Sequence, residues 1–556
     1  VATLLAVYLL WHTVAVAPAF AVLGPTDEEF DMIGVTDLIN RLGTAAPTGA
    51  GIPVSHIEAG GYVSADGITF EYAYTPETTQ PFFAGRDFTF KSGPGVFTNH
   101  ATNIGAHWYG NNGIAPGVTD IDLYSAERYW GGDHLQNGSK LLPSVETQRV
   151  QNHSWIIPAG AASTPFATDV LRRFDYMLDR DGVVAAVGVN NGSTSAFPLG
   201  LANSYNSIAV GHTEGRSSLG PTTLDTPGRS KPDIVAPARH VSEATSWISA
   251  AATLLLETAG SNAHATQPET IKAALLAGAT KGEFDLSGAT SDTLDNWSHT
   301  PQQPLDLRYG AGELNVDNSH RILSAGEFEG GASDVGITGW DFDTIVAGEP
   351  KLYFFDVHPD ATIDSLSIIA TWNREFDVDT KGASAVFNPR LANIDMRLYE
   401  ADGFTLSAIL DTSASTIDNV EHIYREDMAG GRFAIKVTSD QTWDFSLAWQ
   451  AILGTAAPGD ANYDGEVDGL DYLVWADHFG EIMASLSDGD FNRDQTVNGL
   501  DLIVWLENYS GAPDANPLQG AIPEPSSALL ATVGLLVIAL RRRRYTRVGS
   551  ELNRIQ

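Results

Sequence analysis

Over residues 22–325 short apolar strands alternate with helical stretches, and polar residues of catalytic types stand where those elements end or begin. Four stretches carry the pattern. In Thr48–Gly60 a glycine turn leads into an apolar strand that closes on Glu58. In Asn99–Ala106, His100 opens a helix of small residues. In Asp181–Gly192 an apolar strand runs into Asn190-Asn191-Gly192. In Ala244–Leu256, Ser246 heads an apolar helix. Strands and helices in alternation predict an α/β layer built on a parallel sheet.

The residue types fit one chemistry. A carboxylate at a strand end orients an imidazole and stabilises its charged form. Histidine titrates near working pH and serves as a general base. A side-chain amide donates to an oxyanion, and both Asn190 and Asn191 fit that position. A serine at a helix N-terminus sits where developing negative charge is favoured. Each residue also has a plain structural role. Serine caps helices well, Glu58 can pair with an arginine, and His100 can be a satisfied structural histidine. Asp66 is a spare acid beyond the apolar strand, and His153 is a second imidazole on a neighbouring strand.

Further runs sharpen this reading. Lys231-Pro232-Asp233-Ile234-Val235-Ala236-Pro237 precedes the serine helix, and Ile114-Ala115-Pro116-Gly117 follows the histidine block. Val150–Trp155 and Tyr309-Gly310-Ala311-Gly312 complete the set. In this order the stretches resemble the acid, histidine, oxyanion and serine blocks of the subtilase family. The resemblance implies a serine endopeptidase acting on protein or peptide substrates through an acyl-enzyme. Glu58 takes the acid role, His100 the base, Ser246 the nucleophile and Asn190 the oxyanion donor. The sequence departs from the family pattern in four places. Glu58 stands for the usual Asp. The histidine block reads His-Ala-Thr-Asn. Ala244 replaces a glycine, and the proline after the serine is missing. The alternative is a catalytically impaired subtilase scaffold that binds at a surface.

From 326 to 455 the period changes to two. Leu366, Ile368, Ala370 and Trp372 alternate with Ser367, Ile369 and Thr371, and Ile394, Met396 and Leu398 repeat the pattern. Short alternating runs separated by turn residues predict an antiparallel β-sandwich, resembling the accessory domains that follow many subtilases.

Residues 459–511 hold an internal repeat. Asp460, Asn462, Asp464, Glu466, Asp468 and Asp471 recur as Asp490, Asn492, Asp494, Thr496, Asn498 and Asp501. The oxygen spacing suits calcium, a hard cation taking six to eight oxygens. Position 7 offers a backbone carbonyl, from Glu466 and Thr496. Gly465 eases the turn of the first loop, whereas Gln495 occupies that place in the second. Each loop leads into an apolar helix, and none precedes the first. Such paired loops resemble a type I dockerin, a small α module, which implies a cohesin partner.

Both termini read as targeting segments. Residues 1–21 form an apolar run closing on Ala19-Phe20-Ala21, the pattern of a cleaved signal peptide. The run starts at Val and has no basic start, so a longer precursor is expected. After a linker at 512–522, residues 523–545 hold Pro523-Glu524-Pro525, an apolar stretch and Arg541–Arg544. That order resembles the PEP-CTERM sorting signal, which implies a transient membrane anchor, an exosortase-type enzyme and delivery to the cell surface. The net charge of −37 argues against nucleic acid as a partner. The absence of cysteine excludes disulfides and thiolate chemistry.

Overall fold

A computed structural model describes residues 24–63, 71–281, 297–454, 458–461, 467–482, 485–492 and 494–509. The signal-like segment, Asp66, the first-loop residues Asn462, Asp464 and Glu466, the linker and the sorting tail lie outside them. Contacts divide the chain into two compact units, Val1–Ala456 with Asn462–Asp464, and Ala457–Ala461 with Gly465–Gln556.

The first unit begins with a parallel sheet. Its strands in chain order are β1 (Val54–Glu58), β2 (Asp87–Phe90), β3 (Asp120–Ser125), β4 (Val150–His153), β5 (Val184–Gly188), β6 (Ile208–His212) and β7 (Ile234–Ala236). They lie in the order β7-β6-β5-β4-β1-β3-β2, and every pairing is parallel. Strands β1, β4 and β5 are buried along their whole length. Near-continuous apolar runs are what a sheet covered on both faces requires.

Two helices carry the histidine and serine blocks. The histidine helix is Asn99–Tyr109, capped by Thr98 Oγ1 on the Ala101 N–H. The serine helix is Val241–Ala259. Its apolar residues Ala244, Ile248, Ala251 and Leu255 are fully buried. Near its far end, Glu257 accepts from the N–H groups of Thr48, Gly49 and Ala50, tying it to the turn that starts β1. Gly49 is required there. Its φ is +83°, and a Cβ would meet Thr253 and Val118 at 2.9 Å.

The period-two region forms one six-stranded antiparallel sheet, beside a separate two-stranded ribbon. Two packed sheets were expected. Instead the long strand Lys351–Thr371 breaks register between Val357 and Thr362, and residues before and after the break share one core. Tyr353 and Phe355 join Ile363, Leu366, Ile368 and Trp372 there, with Ile394, Met396 and Leu398. Ser367, Ile369 and Thr371 are buried as well. That second face packs on the helix Pro268–Ala277, where Thr371 Oγ1 donates to the Glu269 carbonyl at 2.8 Å.

Charged groups reinforce this junction. Arg374, next to the antiparallel sheet, reaches Asp175 and Asp225, each at 2.6 Å. Arg374 and Asp175 are both almost fully buried. A buried pair adds little net stability, but removing one partner strands the other charge and costs ~3–5 kcal/mol. The network therefore fixes how the antiparallel sheet sits on the α/β layer.

The second unit holds the helices Gly469–Asp477 and Gly499–Asn508. Their tryptophans cross over. Trp475 Nε1 donates to the Asn498 carbonyl at 2.9 Å, and Trp505 Nε1 to the Asp468 carbonyl at 2.8 Å. The sequence repeat is thus a structural repeat. Ala461, Trp475, Phe491 and Val497 form its small core.

Candidate functional site

Glu58 is the last residue of β1, at the carboxyl edge of the parallel sheet. Ligands in open α/β sheets are generally bound along that edge. Its side chain is 3% exposed, and its Oε2 lies 2.7 Å from His100 Nδ1. The Ala59 N–H donates to the other oxygen, Oε1, at 2.9 Å. His100 stands in the first turn of its helix with 46% of its side chain exposed. A buried carboxylate thus holds one nitrogen of an imidazole whose surface remains open to solvent.

The electrostatics follow from this geometry. Burial alone would raise the Glu58 pKa, but His100 and the nearby His56 outweigh it and hold the carboxyl at about 2. Glu58 in turn raises the His100 pKa against the opposing effect of burial, with a further push from Glu243. The pair is an ionised carboxylate bound to a strengthened base.

The two helices run side by side in a register that side chains fix. Asn103 Nδ2 donates to Glu243 Oε1 at 2.9 Å, and Trp247 Nε1 to His107 Nδ1 at 3.0 Å. One turn along the first helix matches one turn along the second, so the helices are parallel. His100 is therefore level with the start of the serine helix.

This register changes the serine. The helix starts at Val241, not at Ala244, with His240 at the N-cap and no side-chain cap. Ser246 lies in the second turn and is fully buried. Its hydroxyl donates to the Glu243 carbonyl at 2.7 Å within the same helix. It stands six positions beyond the level of His100, roughly 9 Å along the axis. The structure does not bring Ser246 to the head of the helix. Ser242 occupies that turn and is half-buried. Its carbonyl accepts from Ser154 Oγ at 2.8 Å, so it sits against the end of β4. Ser242 precedes Ser246 by one turn, and the signal that finds it is the true helix start.

Beyond β5, Asn191 Oδ1 accepts from the Val241 N–H at 3.0 Å and acts as a remote cap of the serine helix. Asn190 is half-buried, and its backbone is pinned to Ser218 in both directions, at 3.0 and 2.7 Å. His153, the spare imidazole, ends β4 fully buried, 3.1 Å from Gln151 Oε1. Burial drives its pKa down to about 3, so it is a core residue and lines no cleft.

In the second unit the second-loop carboxylates bind the loop's own backbone. Asp490 accepts from the N–H groups of Asp494 and Gln495, and Asp501 from those of Asn492 and Asn498. Gln495 has a φ of +67°, the left-handed conformation a glycine adopts freely. Burial, with Asp501 and Asp494 nearby, raises the Asp490 pKa despite those backbone donors. Among the described residues no three histidine, aspartate or glutamate side chains already converge as a metal set.

Comparison with known proteins adds a sorting signal. Residues 521–544 match the PEP-CTERM protein-sorting motif, which indicates export and a C-terminal sorting tail. Among the described residues no helix is long and apolar enough to cross a membrane. No curated protein matches the chain by sequence. Among solved structures the chain is similar to the prenylagaramide maturation protease PagA, at 18% identity over 51% of this chain and 98% of that one, with a TM-score of 0.34. It is similar to the PatG macrocyclase in complex with peptide, at 14% identity over 55% and 99%, TM-score 0.37. It is also similar to the MycP3 protease of a type VII secretion system, at 12% identity over 55% and 90%, TM-score 0.33.

Proposed function

We propose that the chain is an exported serine endopeptidase. The observation that carries this is the buried Glu58 carboxylate holding His100 Nδ1 at 2.7 Å, level with the first turn of the serine helix. In this reading Ser242, not Ser246, supplies the nucleophile. Its hydroxyl attacks the peptide carbonyl, and His100 Nε2 takes the proton and returns it to the leaving amine. Glu58 orients His100 and stabilises the imidazolium. Asn190 is the proposed side-chain donor to the oxyanion; Asn191, whose Oδ1 caps the helix, keeps its Nδ2 as the alternative donor. Uncapped N–H groups of the helix start supply the second donor. A fluorophosphonate probe should label the folded full chain, with the adduct mapped to the peptide bearing Ser242. A folded chain that neither labels nor hydrolyses unfolded protein would overturn the reading and favour the impaired binding scaffold.

Calcium is proposed for the second unit. Asp460, Asp471, Asp490 and Asp501 are all buried, and grouped carboxylates taken out of water call for a cation. Asn492, Asp494, Thr496 and Asn498 add oxygens in the second loop. Asn462, Asp464, Glu466 and Asp468 complete the first. The ion would neutralise these carboxylates and brace the loops. Addition of EGTA is expected to lower the melting temperature of this unit, read by tryptophan fluorescence of Trp475 and Trp505. An unchanged melt with and without calcium rules the site out.

The same unit leaves Leu470, Leu473, Leu500 and Ile503 exposed at 56, 54, 57 and 43%. These are equivalent positions of the two repeats, a pattern that supports a protein partner, for which a cohesin-type protein is proposed. An exosortase-type enzyme is the proposed processor of the sorting tail, with cell-surface delivery as the outcome.

A further inference from the structure

His56 shares a face of β1 with Glu58, since residues two apart in a strand point the same way. It is fully buried. Its Nδ1 lies 2.9 Å from Tyr109 Oη. Its Nε2 is a buried atom with no hydrogen-bond partner, and it lies 3.8 Å from Glu58 Oε2. That is the same oxygen that binds His100.

Resting on the peptidase reading above, we propose that His56, set by Tyr109, is a positioning residue for the Glu58–His100 pair. Tyr109 is fully buried, and burial keeps its phenol protonated. In this proposal the Tyr109 O–H donates to Nδ1, and the imidazole proton then sits on Nε2, facing the carboxylate. Gly105 leaves room for this hydroxyl, because a Cβ there would stand 2.6 Å from Tyr109 Oη.

The arrangement explains how glutamate can stand in for the shorter aspartate. Glu58 has one more side-chain torsion to fix, and ordering a longer side chain costs more entropy. Ala59 and His100 bind its two oxygens, and His56 Nε2 faces Oε2 from 3.8 Å, an electrostatic contact and not a hydrogen bond. The His56 donor approaches from the core, opposite the solvent-exposed imidazole. Its polar edge attracts the carboxylate toward the core while His100 gains and loses its proton.

Other groups act on the same centre. Tyr109, Glu58 and His153 surround His56, and Arg86 acts on Tyr109. Glu58 and Glu243 act on His100, and His240 lies 3.7 Å from Glu243. None of them supplies a neutral donor to Glu58 Oε2.

The test uses the full chain labelled with carbon-13 histidine, comparing wild type, His56→Leu, His56→Gln and Tyr109→Phe. Losing the neutral donor leaves more of the Glu58 charge to His100. The His100 titration should then move to higher pH by roughly half a unit in His56→Leu and Tyr109→Phe. His56→Gln, which keeps an N–H, should restore it. The acid limb of the pH–rate profile should move with it. Turnover should fall a fewfold to about tenfold in His56→Leu with KM little changed, as for a lost electrostatic contact with a charged group. A His100 titration that is the same in wild type and in folded Tyr109→Phe overturns the proposal, even where His56→Leu fails to fold. The resonance needs no turnover, so an inactive wild type would count against the peptidase reading without deciding this one.

Discussion

Replacing Ser242 with alanine is expected to abolish fluorophosphonate labelling and to cut kcat by about five orders of magnitude. Ser246→Ala should keep both within a fewfold of wild type. The contrast follows from the helix register. Asn103 meets Glu243, and His107 meets Trp247, so His100 stands beside the first turn that carries Ser242. Ser246 is fully buried one turn further on, with its hydroxyl spent on the Glu243 carbonyl at 2.7 Å. Removing that hydroxyl loses one intrahelical hydrogen bond, worth about 1 kcal/mol of stability, and nothing at the reacting centre. Labelling that survives in Ser242→Ala and vanishes in Ser246→Ala would return the nucleophile to Ser246.

The two serines show where the sequence was legible and where it was not. Glu58 and His100 were readable because each terminates or opens an element whose apolar pattern is strong: the fully buried β1 and a helix of small residues. The serine was harder. Val241–Ala259 is a single helix, and its apolar run gives no mark at its true start. A helix boundary is fixed by capping, and here the cap is remote: Asn191 Oδ1 on the Val241 N–H. That contact joins residues far apart in the chain. The antiparallel sheet was readable as alternation at Leu366, Ile368 and Ala370, but not its second buried face, because the helix Pro268–Ala277 that covers Ile369 and Thr371 comes from the other part of the chain. His56 was visible in principle, two residues before Glu58 on one strand face. Its meaning appeared only with Tyr109, which a different helix supplies.

In the peptidase reading, Glu58→Gln should lower kcat by about three to four orders of magnitude. The amide keeps the size of the side chain but removes the charge that stabilises the imidazolium, and it can present an N–H to Nδ1 and favour the wrong tautomer. The pH dependence has a definite sign. In the proposed mechanism catalysis needs neutral His100, and Glu58 raises the His100 pKa. Wild-type activity therefore rises as pH passes upward through that raised value. In Glu58→Gln the His100 pKa falls, and the acid limb of what activity remains should move to lower pH. Stability gives a second reading of the same charge. Glu58 titrates at about 2 in the folded chain against an ordinary 4.5. Its ionised form adds stability that is complete above 4.5 and is lost as pH falls toward 2. The difference in melting temperature between wild type and Glu58→Gln should shrink across that window and stay constant above it. An acid limb that does not move, with a melting difference that ignores pH, would mean that Glu58 does not act on His100 through its charge.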